Sequence, residues 1–414
     1  MTHVLQSAQD QSFPPPVVVR LPGGRAATGL ASLLAGFCLV CLGPARAVEP
    51  APSSVSRPAA EAAGPVALAE SVKTGWWLLE TGRHREAEWV FRDILSESGK
   101  QGAAWVGLGL SQHLQGRDEA ALTSLQEALR LHTHVSWAHR VSGDILYRQG
   151  QLTEALGHYH AALEADPNDV IAKGRVLAVG RAHRADAGLD RLFTAHFMMK
   201  FPGEAKVALV TYIAAGLERA HQDVARVFAY QPTRSMTVHL YPARQFQEVT
   251  LSPSWVEGLY DGIIHLAIEG FQHNPRRAHA LLVHEYTHAV VHEISGGYAP
   301  AWLQEGLARL LERQLGDPRA ADVMRPDRPG YTISPPVPLT QSFTGMTRQD
   351  AAAAYGYSEV LVRSLIERYG FDGVRMLLRA LAGTRDVGVA FEQTFGMTVE
   401  EFQAEVAVRP AERN

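Results

Sequence analysis

Three histidines, His284, His288 and His292, recur at four-residue intervals in the stretch "LLVHEYTHAVVHEISGG". Imidazole nitrogens are common ligands of first-row metals, and a spacing of four puts successive side chains on one helix face. His284, Glu285 and His288 form an HExxH pattern. On a helix its two histidines converge on one ion, and the glutamate beside the first is placed to polarise a water. The apolar "ALLV" before and "AVV" after make a helix the natural reading. His292 does not join the pair. It stands eight residues beyond His284, about 12 Å along a helix axis, and metal–ligand bonds of about 2 Å cannot gather both ends of that span. The longer HExxHxxGxxH arrangement escapes this by breaking the helix at glycine. Here Val291 and Ile294 occupy those positions, so His292 is expected on the helix surface or behind the site.

A zinc site needs a third protein ligand and, for catalysis, a fourth position left open. Glu305 in "PAWLQEGLAR" is the candidate. The intervening "ISGGYAP" breaks the chain, so a second helix can return antiparallel and aim Glu305 at the two histidines. Amid apolar neighbours this carboxylate would be costly to bury without a partner. Gly306 beside it would permit close helix packing. The expected set is one Zn²⁺ on His284, His288 and Glu305, with Glu285 as general base.

"VHEYTHAVV…PAWLQEGLAR" resembles the gluzincin class of zinc metallopeptidases, and more closely the peptidase MA-like domains that bacteria fuse to tetratricopeptide repeats. The resemblance spans about residues 190–405, including "SPSWVEGLYDGIIHLAI" and "AAAAYGYSEVLVRSLIERYG". It implies an α+β zincin-like fold and the same roles for His284, Glu285, His288 and Glu305. It also implies a tyrosine that steadies the oxyanion, with Tyr355 the best match and Tyr357 the second. Two residues apart on a helix, they would point about 200° away from each other, so only one should face the metal. Packing alone is the other reading of both. The resemblance further implies that the strand over 262–269 holds substrate in extended form, while His265 on it reads as structural. One position departs from the pattern. Thermolysin-like relatives carry an acid four residues after the third ligand, which orients a zinc histidine, but here that residue is Arg309. A guanidinium cannot accept a histidine N–H. Support for the histidines must come from elsewhere or be weak, and Arg309 either pairs with Glu305 one turn away or is solvated.

The elements that must position these residues follow from periodicity. Alternation predicts strands over 193–201, 235–241 and 262–269. Helical spacing predicts a long amphipathic helix over 203–228 and two further helices carrying HExxH and Glu305, the second opened by Pro300. A Pro/Gly-rich excursion follows over 316–348, and helical patterns fill most of the remainder.

Upstream, "TGRHREA", "QGRDEAA" and "QGQLTEA" place glycines at 82, 116 and 150, a 34-residue period. Gly75, Gly109 and Gly143 keep it, as do Ala87, Ala121 and Ala155, then Phe91, Leu125 and Tyr159. Pro167 closes the third unit. This resembles the tetratricopeptide repeat over residues 68–170, implying an all-α solenoid of three helix pairs that offers a groove to a protein partner. Trp76, His113, Arg140 and Tyr147 fall at groove positions of that family, the alternative being that they pack the repeats.

The N-terminal part is of another kind. Arg20 and Arg25 precede an apolar run over residues 26–43, and "PARA" follows with small residues in an A-x-A arrangement. Residues 1–47 therefore read as a secretory signal, with an uncleaved anchor through residues 26–43 as the alternative. The chain's two cysteines, Cys38 and Cys41, form a CxxC inside that apolar core, where a thiolate is disfavoured. Residues 48–67, rich in Pro, Ala and Ser, read as a linker. The formal net charge is −4, and removal of the leader takes away three arginines and one aspartate, leaving −6. With no basic block, nothing electrostatic points to nucleic acid.

The organisation expected is an exported, periplasmic, multidomain protein: leader, linker, repeats, and a metallopeptidase domain over residues 185–405. The reading from another class is a periplasmic repeat scaffold whose metal domain is inert. A third keeps the zinc but acts on a non-peptide amide such as a cell-wall linkage.

Overall fold

The computed structural model describes residues 17–19, 65–132, 135–271, 275–316 and 346–408. The leader's apolar run, the CxxC, the linker up to residue 64 and most of the Pro/Gly-rich excursion lie outside them.

Helices come first: α1 (Pro65–Glu80), α2 (His84–Glu97), α3 (Gly102–Leu114), α4 (Asp118–Arg130), α5 (Val135–Arg148), α6 (Leu152–Ala165) and α7 (Val170–Ala185). The 34-residue period has a packing cause. Each periodic glycine of an odd-numbered helix faces the periodic large residue of the next helix. A Cβ on Gly75 would stand 2.6 Å from the Phe91 ring, one on Gly109 2.8 Å from Leu125, and one on Gly143 2.7 Å from Tyr159. Contacts that short are repulsive, so the helix pairs close only over a hydrogen atom. The second glycine series turns the chain within each pair: Gly82, Gly116 and Gly150 all have φ between 71° and 75°. Helix α7 is capped by Asp169, whose side chain accepts from Ala172 N, and it packs on α6.

A mixed α and β domain follows. Its elements are β2 (Leu189–Phe193), β3 (Phe197–Pro202), α8 (Val207–Phe228), β4 (Met236–Tyr241), α9 (Ala243–Thr250), β5 (Gly258–Tyr260), β6 (Ile264–Ala267), α10 (Pro275–Ser295), α11 (Ala301–Leu311), α12 (Arg348–Thr384), α13 (Val387–Phe395) and α14 (Val399–Val408). With β1 (Val17–Val19) the sheet order is β1-β2-β3-β4-β6-β5. Strands β3, β4 and β6 run parallel, and β5 returns antiparallel to β6 at the sheet's end.

Two sequence expectations change here. The single strand expected over 193–201 is a hairpin, β2 and β3, because Thr194 breaks the run and bonds across to Phe197. The strand over 262–269, expected to hold substrate in extended form as an edge strand would, is interior: β6 pairs with β4 on one side and β5 on the other. The edge belongs to β5.

The amphipathic α8 buries Val210, Ile213, Ala214, Leu217, Val224 and Phe228, one stripe at helical spacing. That stripe covers α10, which also touches α11, α12 and β5. Enclosure on several sides explains why α10 is apolar nearly all round, with Leu282, Val283, Tyr286, Val290 and Val291 all fully buried. Pro300 sits at the cap of α11 rather than inside it, its carbonyl accepting from Leu303 N and Gln304 N. Gly306 allows a close approach to α12, at Ser358 and Val362, rather than to α10.

The repeats pack directly on this domain. Their three glycine turns lie along it, Gly82 against Gly383, Gly116 against Thr233, and Gly150 against Met198 and Thr237. One apolar cluster joins Leu146, Tyr147, Leu152 and Tyr159 of the repeats to Tyr241, Phe246, Ile263 and Ala267 of the sheet domain. Buried Lys200 donates to Asp186 and to the carbonyl of Gly150. Arg234 bridges Asp118 of α4, at 2.9 Å, and Glu293 of α10, at 2.7 Å. The four side chains expected to line a groove are used otherwise. Trp76 meets Phe91 edge-on and lies tilted against Trp137, Arg140 pairs with Asp169, His113 bonds Asp118 and Arg148 within the repeats, and Tyr147 reaches Asp261 of the second domain. Among the described residues, no helix is long and apolar enough to cross a membrane.

Candidate metal centre

Helix α10 carries His284 and His288 one turn apart, and the turn over 296–300 sends α11 back alongside it with Glu305. The three side chains converge. His284 Nε2 and His288 Nε2 are 3.1 Å apart, and each is 3.6 Å from Glu305 Oε2. Zinc bonds of about 2.05 Å at the tetrahedral angle would set ligand atoms about 3.3 Å apart, which this triangle brackets. Among the described residues this is the one such group of metal-ligating side chains. The side chains of His284, His288 and Glu305 are 16%, 12% and 20% exposed, so solvent reaches a site that is otherwise walled. Glu305 Oε2 is buried without a hydrogen-bond partner among the described residues. A buried carboxylate oxygen left so is costly, and a cation at the centre of the triangle satisfies it. The residues fit the ion.

Glu312 supplies what the sequence reading missed. It opens a short π-helical segment, Glu312–Gly316, at the end of α11, and its Oε2 lies 3.0 Å from His284 Nδ1. That leaves Nε2 as the inward nitrogen of His284. The signal was present, since seven residues is two helical turns and sets Glu312 on the same face as Glu305. Inspection one turn on finds Arg309 instead. Arg309, partly exposed, does not pair with Glu305. It reaches Glu312 at 3.7 Å and lies over the ring of Tyr355.

Charge in the site is unevenly held. Burial opposes protonation of His284, but the carboxylates of Glu305 and Glu312 outweigh it and lift its pKa to about 10. Burial dominates at His288, which falls to about 4 despite Glu305. Glu285 is raised to about 7, chiefly by burial, then by Glu305 and Glu312 against His284. Its Oε2 is buried with no hydrogen-bond partner among the described residues.

The carboxylate of Glu285 lies against the edge strand. A Cβ on Gly258 would stand 2.5 Å from Glu285 Oε1 and 2.7 Å from its Cγ. Only a residue without a side chain lets β5 run this close. The tyrosines separate as their spacing requires. Tyr355 lies under the Arg309 guanidinium and has its pKa raised by burial and then by the nearby Glu305 and Glu285, whereas Tyr357 is buried in the core. His292 looks away from the triangle. Its ring meets Tyr260, and burial followed by Arg148 and Arg234 lowers it to about 3. His265 is structural, bonded to Asp261 and Tyr147.

Comparison with known proteins concerns the helical region that precedes the sheet domain. Residues 73–135 and 137–169 each match a model of the tetratricopeptide repeat. No curated protein matches the chain. The chain thus has a helical region like the tetratricopeptide repeat, followed by a domain of a small mixed sheet and helices, and such repeats generally mediate protein–protein interaction.

Proposed function

We propose that the protein is a zinc-dependent metallopeptidase of gluzincin type. The observation that carries this is the triangle of His284, His288 and Glu305, with Glu285 next to it and β5 lying against Glu285. Zinc held by those three side chains supplies Lewis acidity, which acidifies water and polarises a carbonyl. Glu285 accepts the proton of the attacking water and passes it to the leaving amine. Tyr355, near the carboxylates, donates toward the charge that develops on the scissile carbonyl oxygen. The main chain of β5, terminal in the sheet, is positioned to hold an extended peptide. The leader pattern supports export to the periplasm.

A Glu285→Gln variant tests the reading. It is expected to retain one equivalent of zinc while hydrolysis of a casein probe disappears. Unchanged hydrolysis by pure protein would overturn it. The repeat matches favour a second reading, a scaffold with an inert metal domain. Full-length protein that captures a partner yet hydrolyses neither that partner nor casein would support the scaffold instead.

A further inference from the structure

The third repeat meets the turn between β5 and β6 through Tyr147 and Arg148. Tyr147, near the end of α5, is 3% exposed, and its hydroxyl donates to Asp261 Oδ1 and Oδ2 at 2.8 and 2.9 Å. Asp261 stands in the turn that joins β5 to β6. Its Oδ1 also accepts from Ile263 N at 3.3 Å and lies 3.1 Å from His265 Nε2. The next residue, Gly262, has φ +114°, and a Cβ on it would lie 3.3 Å from Arg148 Cγ and 3.6 Å from the Tyr147 ring. Ile263 is fully buried in the same apolar cluster as Tyr147. The turn is therefore seated on the repeat by a hydrogen-bonded carboxylate and by packing. At the other end of β5, Gly258 lies against Glu285.

A three-residue terminal strand is marginal by itself, because it gains ladder bonds on one side only. A hydrogen bond to an ionised carboxylate is stronger than one between neutral groups, and Asp261 is only partly exposed. Placed at the turn, it ties the hairpin to α5. We propose that Tyr147 is a positioning residue: through Asp261 it sets the β5–β6 hairpin, and so the strand that lies against Glu285. The repeat array is then part of the substrate-holding apparatus as well as a surface for partners. The catalytic consequence rests on the peptidase reading above, and the structural part does not.

The test is Tyr147→Phe in the full chain, beside Tyr159→Phe. Tyr159 is a buried tyrosine of the same repeat whose hydroxyl bonds Asp144 and not the hairpin. Amide hydrogen exchange over residues 256–267 is expected to accelerate about tenfold or more in Tyr147→Phe, with α10 unchanged. Unchanged exchange there, or equal acceleration in Tyr159→Phe, would overturn the proposal. With casein as probe, KM is expected to rise about tenfold while kcat stays within about twofold. An unchanged KM, in a protein that Glu285→Gln inactivates, would also overturn it. If Glu285→Gln hydrolyses casein as the parent does, the peptidase reading fails and the exchange measurement alone decides. Should Tyr147→Phe not accumulate folded, Asp261→Asn, which weakens the same bond, takes its place with the same outcomes.

Discussion

His284 and Glu312 face each other at 3.0 Å across the packed α10 and α11, Nδ1 to carboxylate oxygen. The contact orients the imidazole and raises its basicity, so that Nε2 turns to the triangle shared with His288 and Glu305. Arg309, where an acid would be expected, has become the partner of Glu312 instead. The orienting role has moved along the helix by less than one turn.

Glu312→Ala should weaken zinc binding by about 10–100-fold without changing its stoichiometry at saturating metal. Competition with a chromophoric chelator measures it. An affinity equal to the parent's would show that the contact does not orient the ligand.

Gly258→Ala should keep the zinc and lose hydrolysis. The added methyl needs the space of the Glu285 carboxylate, which must turn aside. A displacement of about 1 Å at a reacting group costs on the order of 100-fold in rate. Metal analysis beside casein hydrolysis separates this from unfolding.

Tyr355→Phe should lower kcat by about 10²–10³-fold with KM and zinc content nearly unchanged, as expected for a donor used only in the transition state. Tyr357→Phe, a change in the core beneath, should leave kcat within about twofold.

Acid should destabilise the fold through His113, which is buried among the repeats. Burial, reinforced by Arg148 and opposed by Asp118, lowers His113 to about 4. Its folded value lies below the unfolded one of about 6.5. Stability is therefore full above about pH 6.5 and falls toward pH 4, where the unfolded chain takes a proton the folded chain refuses. The groups facing His113 are Asp118, Arg148 and Arg234. Thermal unfolding followed from pH 7.5 to 4.5 should show a steeper loss of Tm for the parent than for His113→Gln. Parallel slopes would refute the assignment.

What the sequence alone determined is what depends on local spacing. The 34-residue period foretold the helix pairs, because glycine and its bulky counterpart recur wherever two helices close on each other. The HExxH spacing foretold one convergent histidine pair, and helix rise excluded His292. Glu305 was legible because a break between two helical patterns brings them antiparallel. Only the tertiary structure decided contacts between residues far apart in the chain. Which strand forms the edge depends on pairing, and β6 proved interior because β5, a three-residue segment around Gly258, pairs beyond it. Glu312 became a partner of His284 only once α10 and α11 had packed. Tyr147 met Asp261 across 114 residues of chain, a contact that no local pattern encodes. Periodicity records what a residue's near neighbours require, whereas a meeting of distant side chains depends on how whole elements pack.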